Sequence, residues 1–173
     1  MQTRASLTNA LKYLGGLGAA AILFVLFDFM IDLRPSGVHE SYRFRMPDLV
    51  IDQPVILRQD NLAILLIERS PETILALEQA RTGLQDADSS RSRQPDWAHN
   101  PWRSRESRLF VAFALGTHFG CPLEIDDGEI GETCSDARYD FAGRALTGTE
   151  TFQNLSVPDY TLSADAATLI IKP

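Results

Sequence analysis

The sequence predicts a mainly β domain, interrupted by one helix and one long loop and carried on a single N-terminal membrane helix. Three observations predict it. A nearly unbroken apolar run covers residues 14–31. From Tyr42 onward, short apolar runs of strand length alternate with polar turns. Two loop-like stretches, Gly-Thr-His-Phe-Gly-Cys at 116–121 and Glu-Thr-Cys-Ser at 132–135, hold the only two cysteines of the 173 residues. The length suits one domain with an attachment. A formal net charge of -7 argues against a nucleic-acid partner and against a polybasic membrane-surface protein.

Residues 1–13 are polar and carry Arg4 and Lys12, and LGGLGAAAILFVLFDFMI follows at 14–31. Eighteen helical residues rise about 27 Å, close to a hydrocarbon core of roughly 30 Å. The one charge, Asp28, lies near the far end, and Gly15, Gly16 and Gly18 suit close helix packing in lipid. No small-residue cleavage site follows, so a retained anchor is expected rather than a signal peptide. Basic residues before the span and acids at its far end put the N-terminus in the cytoplasm and the rest outside. The expected organisation is a cytoplasmic N-terminus and transmembrane helix at 1–33, a neck or hinge at 34–41 containing Arg34-Pro35-Ser36-Gly37, and a β domain at 42–173.

Within that domain, Val55-Ile56-Leu57 and residues 63–67 flank the polar turn Arg58-Gln59-Asp60-Asn61, as in a hairpin. Ser70-Pro71-Glu72 starts a helix: Ser caps it, Pro takes the first position and an acid falls in the first turn. Ile74, Leu77 and Leu84 fit one face of that helix. Residues 86–106 are polar, lack periodicity and read as a long loop. Its Arg91, Arg93, Trp97, Trp102, Arg103 and Arg105 either contact a partner or pack back onto the domain, and packing of the tryptophans is the favoured reading. Residues 109–115 make a buried strand, 138–141 a strand with a turn at 142–144, and 160–162 with 168–171 a closing hairpin. Glu124, Asp126, Asp127, Glu129 and Glu132 read as a solvated acidic loop without EF-hand spacing. Two cysteines in separate loops suit either a disulfide or two ligands of a metal.

Several blocks, in order, resemble the Rieske iron–sulfur subunits of cytochrome bc complexes. They are Arg69-Ser70-Pro71-Glu72; the run from Gln94 through Trp97 and Trp102 to Ser104; Thr117-His118-Phe119-Gly120-Cys121; the run from Tyr139 to Arg144; and the run from Asn154 to Tyr160. The resemblance covers about Pro54 to the C-terminus, and the anchor-plus-neck layout is similar too. It implies a Rieske-like antiparallel β sandwich with the two loops at its tip. That family holds a two-iron cluster with C-x-H in the first loop and C-x-x-H in the second. Aligned by their neighbours, the ligand positions here fall on Gly116, His118, Glu132 and Ser135, so three of four ligand side chains are missing. The family's non-ligating cysteine pair falls on Cys121 and Cys134, which implies a disulfide between the loops and an oxidising compartment. The family's proline-rich covering loop falls on Gly148-Thr149-Glu150-Thr151-Phe152, without its prolines.

The resemblance therefore implies a cluster-less, non-catalytic, membrane-anchored subunit with a structural, assembly or regulatory role in a respiratory complex of ubiquinol-cytochrome c reductase type. No cofactor and no metal are expected. The expected partners are the membrane and subunits such as cytochrome b, with Trp97, Trp102, His118 and Phe119 as contact candidates. The expected location is a bacterial or mitochondrial inner membrane, with the C-terminal domain on the periplasmic or intermembrane side. Two alternatives are an electron-transferring subunit with atypical ligands and a stand-alone protein-binding module. Zinc on His118, Cys121, Glu132 and Cys134 has acceptable ligand types but competes with the disulfide. A lone histidine with no nucleophile beside it gives no acid–base site, and Ser135 has no triad.

Overall fold

The computed structural model describes residues 2–30, 41–148 and 153–172. The chain divides into two units, Met1–His39 and Glu40–Pro173. The first contains α1, Gln2–Met30, within which Asn9–Asp28 has a mean hydropathy of 1.9 and is long and apolar enough to cross a membrane. The expected neck, 34–41, lies outside the described residues except for Ser41, and most of the expected covering loop, 149–152, lies outside them too.

The second unit is mostly β. Its strands are β1 (Tyr42–Arg45), β2 (Val55–Gln59), β3 (Leu62–Glu68), β4 (Leu109–Phe113), β5 (Leu123–Asp126), β6 (Glu129–Glu132), β7 (Arg138–Tyr139), β8 (Asp159–Leu162) and β9 (Thr168–Lys172). They form three antiparallel three-stranded sheets, in the orders β2-β3-β4, β1-β9-β8 and β5-β6-β7. The first sheet is buried on both faces, which explains why β3 reads as a continuous apolar run rather than an alternating one. Successive side chains of a strand point to opposite faces. Accordingly, Leu65 and Ile67 join Phe110, Leu123, Ile130, Tyr139 and Leu155 in one core, while Ile64 and Leu66 join Phe44, Tyr160, Leu169 and Ile171 in the other.

The helix expected after Ser70 is α2, Pro71–Gln79, and the Ser70 hydroxyl accepts from the Thr73 N–H at 3.1 Å. Leu77 is buried as expected, but Leu84 is not on the helix and forms a bridge to Leu146 instead. The helix ends at Gln79 with Ala80 extended, and the buried Arg144 guanidinium donates to the Leu77 and Ala80 carbonyls, satisfying helix-end acceptors with a cation where the macrodipole favours one. The acidic stretch is a hairpin rather than a loop. Leu123, Ile125 and Ile130 face inward between the acids, and Asp127 and Gly128 turn the chain with φ of 47° and 83°, the left-handed pair that suits a two-residue hairpin.

Residues 86–106 hold one 3-10 turn, Asp96–Ala98, and are wired to the domain by buried polar side chains. Asp86 accepts from the backbone N–H groups of Ser90 (2.9 Å) and Arg91 (3.0 Å) and from the hydroxyls of Ser90 and Ser92. Asn154 donates to the Asp86 carbonyl at 2.7 Å and to the Ser89 hydroxyl at 2.8 Å. Burial alone raises the Asp86 carboxyl, but the hydrogen bonds outweigh it and hold the group below the ordinary carboxylate range. A carboxylate depressed in the folded state contributes stability above its unfolded value of about 4, and this is lost as pH falls through the folded value. Asp86→Asn is therefore expected to lower stability by about 1.5–3 kcal/mol at neutral pH and to flatten the acid limb of the melting curve. Thermal melts of both proteins between pH 7 and pH 3 check this.

Candidate functional site

The two cysteine-bearing loops meet at one end of the β5-β6-β7 sheet. The first leaves β4 and closes on itself through the Gly116 N–H donating to the Cys121 carbonyl at 2.8 Å. The second follows β6 and is held to the first by the Thr133 N–H donating to the Pro122 carbonyl at 3.1 Å. A disulfide joins Cys121, which is buried, to the exposed Cys134, with Cα atoms 6.0 Å apart.

Glu132 is at the centre of this region. The acidic pattern suggested solvent, yet its side chain is 2% exposed. It is the last residue of β6, paired with Leu123, where the sheet pleat turns it inward. One carboxylate oxygen accepts from the Tyr139 hydroxyl at 2.5 Å and the other from the Ser135 hydroxyl at 2.7 Å. Burial, and then the neighbouring Glu132 carboxylate, push the Tyr139 phenol well above its ordinary value, so the proton stays on the tyrosine. Ser135 in turn accepts from the Ala137 N–H at 3.3 Å, which fixes its hydroxyl.

The Glu132 carboxylate also lies where residue 116 would carry a side chain: a Cβ built on Gly116 would overlap the carboxylate. Glycine and glutamate are thus complementary in volume across the two loops. Gly116→Ala is expected to lower stability by about 1–3 kcal/mol through overpacking. In a Glu132→Ala background the same substitution should cost much less, because the clashing group is gone. A thermal-melt double-mutant cycle measures that coupling.

Of the four aligned ligand positions, Gly116, Glu132 and Ser135 lie together. His118 is exposed and sets its ring edge-on to Phe119, with centroids 4.0 Å apart, and Phe119 is 70% exposed. Among the described residues, one metal-ligating group comes together: Cys121, Glu132 and Cys134, with ligand atoms within 4.8 Å of one another. His118 is not part of it.

Of the long-loop residues, Arg91, Arg93 and Arg105 are exposed, while Trp97, Trp102 and Arg103 are buried to different degrees against the domain. Trp97 packs edge-on against Tyr160 and donates to Asp159, with the Arg105 guanidinium 4.2 Å above its ring. Trp102 is half-buried. Arg103, expected to reach a partner or pack back, is 1% exposed and donates to the Ala142, Gly143 and Leu155 carbonyls. Tyr139 escaped the sequence reading as a site residue. Its signal is the inward alternation of a strand paired with β6, visible only once that hairpin is recognised.

The chain is 30% identical to the ubiquinol-cytochrome c reductase iron-sulfur subunit of Allochromatium vinosum over 117 residues. The match takes in 61% of this chain and spans 56% of that relative's own length. No family model matches the chain. Among solved structures, a hyperthermophilic respiratory Complex III chain aligns with a TM-score of 0.46 at 15% identity, covering 94% of this chain and 98% of that one. The ferredoxin of carbazole 1,9a-dioxygenase from Nocardioides aromaticivorans IC177 aligns with a TM-score of 0.39 at 11% identity, covering 78% and 98%.

Proposed function

We propose that this chain is a membrane-anchored, Rieske-like subunit without a two-iron cluster, serving a structural, assembly or regulatory role in a respiratory complex of cytochrome bc type. The observation that carries the reading is the Glu132 carboxylate filling the side-chain space of Gly116. A Rieske cluster needs two thiolates on one iron and two imidazoles on the other. At the aligned positions this chain offers a hydrogen, a carboxylate, a hydroxyl and one imidazole. Iron–sulfur centres select soft thiolate donors, and hard oxygen donors are poor substitutes for them. The residues present therefore do not fit the group, and no electron-transfer step is drawn through them.

The remaining features support a docking role. The Allochromatium relative is named as a subunit of ubiquinol-cytochrome c reductase, and the likeness to it extends over 117 residues. The apolar window in α1 supports an anchor, and the disulfide supports a domain facing an oxidising compartment. Exposed Phe119 in the first loop and Leu115 at that loop's base supply apolar contact area.

Affinity purification of the tagged full chain from its own membranes in mild detergent tests the role. Co-purification with a cytochrome b subunit is expected. Recovery of the chain alone, or with non-respiratory proteins only, contradicts the reading.

A further inference from the structure

Glu132 is a nearly fully buried carboxylate whose hydrogen-bond donors are two neutral hydroxyls. Among the described residues no arginine or lysine salt bridge reaches it. A buried charge without a counter-ion is costly, and a cation within reach relieves that cost. Each carboxylate oxygen receives one hydrogen bond and keeps a further lone pair. The two sulfurs of Cys121 and Cys134 lie within 4.8 Å of it, and their own bond to each other is what keeps them from acting as ligands.

We propose that reduction of the Cys121–Cys134 disulfide turns this region into a mononuclear zinc site, built from two thiolates and the Glu132 carboxylate with water in the fourth position. Sulfur and carboxylate donors in a tetrahedral set of four suit zinc. The Tyr139 and Ser135 hydroxyls hold the carboxylate in place, as hydrogen bonds to metal ligands commonly do. Gly116 leaves room for the carboxylate to reach between the loops. The exposed Cys134 gives both reductant and water an approach. The reductant is a dithiol. One of its thiolates attacks the Cys134 sulfur, forming a mixed disulfide and releasing Cys121 as thiolate. Its second thiolate then attacks its own bonded sulfur, releasing Cys134 as thiolate. Two electrons pass to the protein, the dithiol leaves as a disulfide, and its two protons go to solvent as the metal takes the thiolates. The disulfide and zinc readings of these residues are thereby two redox states of one site. This inference does not depend on the docking role.

The test uses the full chain in detergent, with Co²⁺ and Zn²⁺ as probes. Reduced protein is expected to bind one Co²⁺ per chain, with thiolate charge-transfer absorption and tetrahedral d–d bands that Zn²⁺ abolishes. Oxidised protein should show neither. Reduced Glu132→Gln should bind about tenfold or more weakly. Absent thiolate bands in the reduced protein, or unchanged affinity in Glu132→Gln, would overturn the proposal. Zinc-edge X-ray absorption on the reduced, unmutated chain needs no variant. Two sulfurs at about 2.3 Å with lighter scatterers support the site, and a shell lacking sulfur or made of sulfur alone overturns it.

Discussion

Replacing Arg103 with methionine is expected to cost about 3–5 kcal/mol, a large share of a domain stability of roughly 5–15 kcal/mol. The guanidinium is 1% exposed and donates to the carbonyls of Ala142 (3.0 Å), Gly143 (3.0 Å) and Leu155 (2.6 Å) and to the Gln94 side chain (2.9 Å). Methionine fills much of the volume but leaves the Ala142 and Leu155 carbonyls without the donor that Arg103 supplies, at about 1–3 kcal/mol each with some relief by relaxation, while the Gly143 carbonyl keeps the Leu155 N–H. Burial pushes Arg103 down to about 10, against the pull of Asp140, and the group remains charged at neutral pH. Arg103→Lys should recover little, because an ammonium lacks the planar fork that spans several carbonyls. Melting of the purified variants should show a fall on the order of 10–20 °C.

The second large effect is expected from removing the disulfide. Cys121 and Cys134 close a loop with a sequence separation of 13, worth about 3 kcal/mol on the chain-entropy estimate. Cys121→Ser with Cys134→Ser should therefore lower the melting temperature by roughly 10 °C. The loss should concentrate in the two loops, since β3 and β4 are held by their own paired backbone and by both cores. Hydrogen exchange of the variant checks this: protection should fall at residues 114–137 and persist in β3 and β4. Equal loss throughout would mean that the staple holds the whole domain.

Local signals made much of the fold readable. The β2–β3 hairpin, the Ser70 cap, β4 and the β8–β9 hairpin each announce themselves within a few residues by alternation, turn chemistry or capping. The acids of the β5–β6 hairpin mask the apolar residues that alternate with them, and its local sequence signal is Asp127-Gly128. Nothing adjacent in sequence to Arg69, Arg103 and Arg144 reveals the carbonyls they serve. Arg69, for example, donates to Trp102, Ser107 and Phe141.

The candidate site was legible as a set of positions and illegible as a structure. Alignment by motif marked Gly116, Glu132 and Ser135 as departures, and from sequence alone these look like unrelated losses. Their connection is spatial: the side chain absent at Gly116 makes room for the one present at Glu132, and Ser135 becomes a donor to it. Sixteen residues separate the glycine from the glutamate, so only the pairing of β5 with β6 and the loop closure bring them together. The long loop shows the same limit. Trp97 and Arg105 are partners of Tyr160 and Asp159, more than fifty residues away.

Iron and acid-labile sulfide, counted per chain on protein purified from its own membranes under anaerobic conditions, test the central claim most directly. A colourless chain with essentially no iron and no sulfide is the predicted result. Two irons and two sulfides per chain would contradict the proposed reading, in which Gly116, Glu132 and Ser135 supply neither thiolate nor imidazole at the aligned positions.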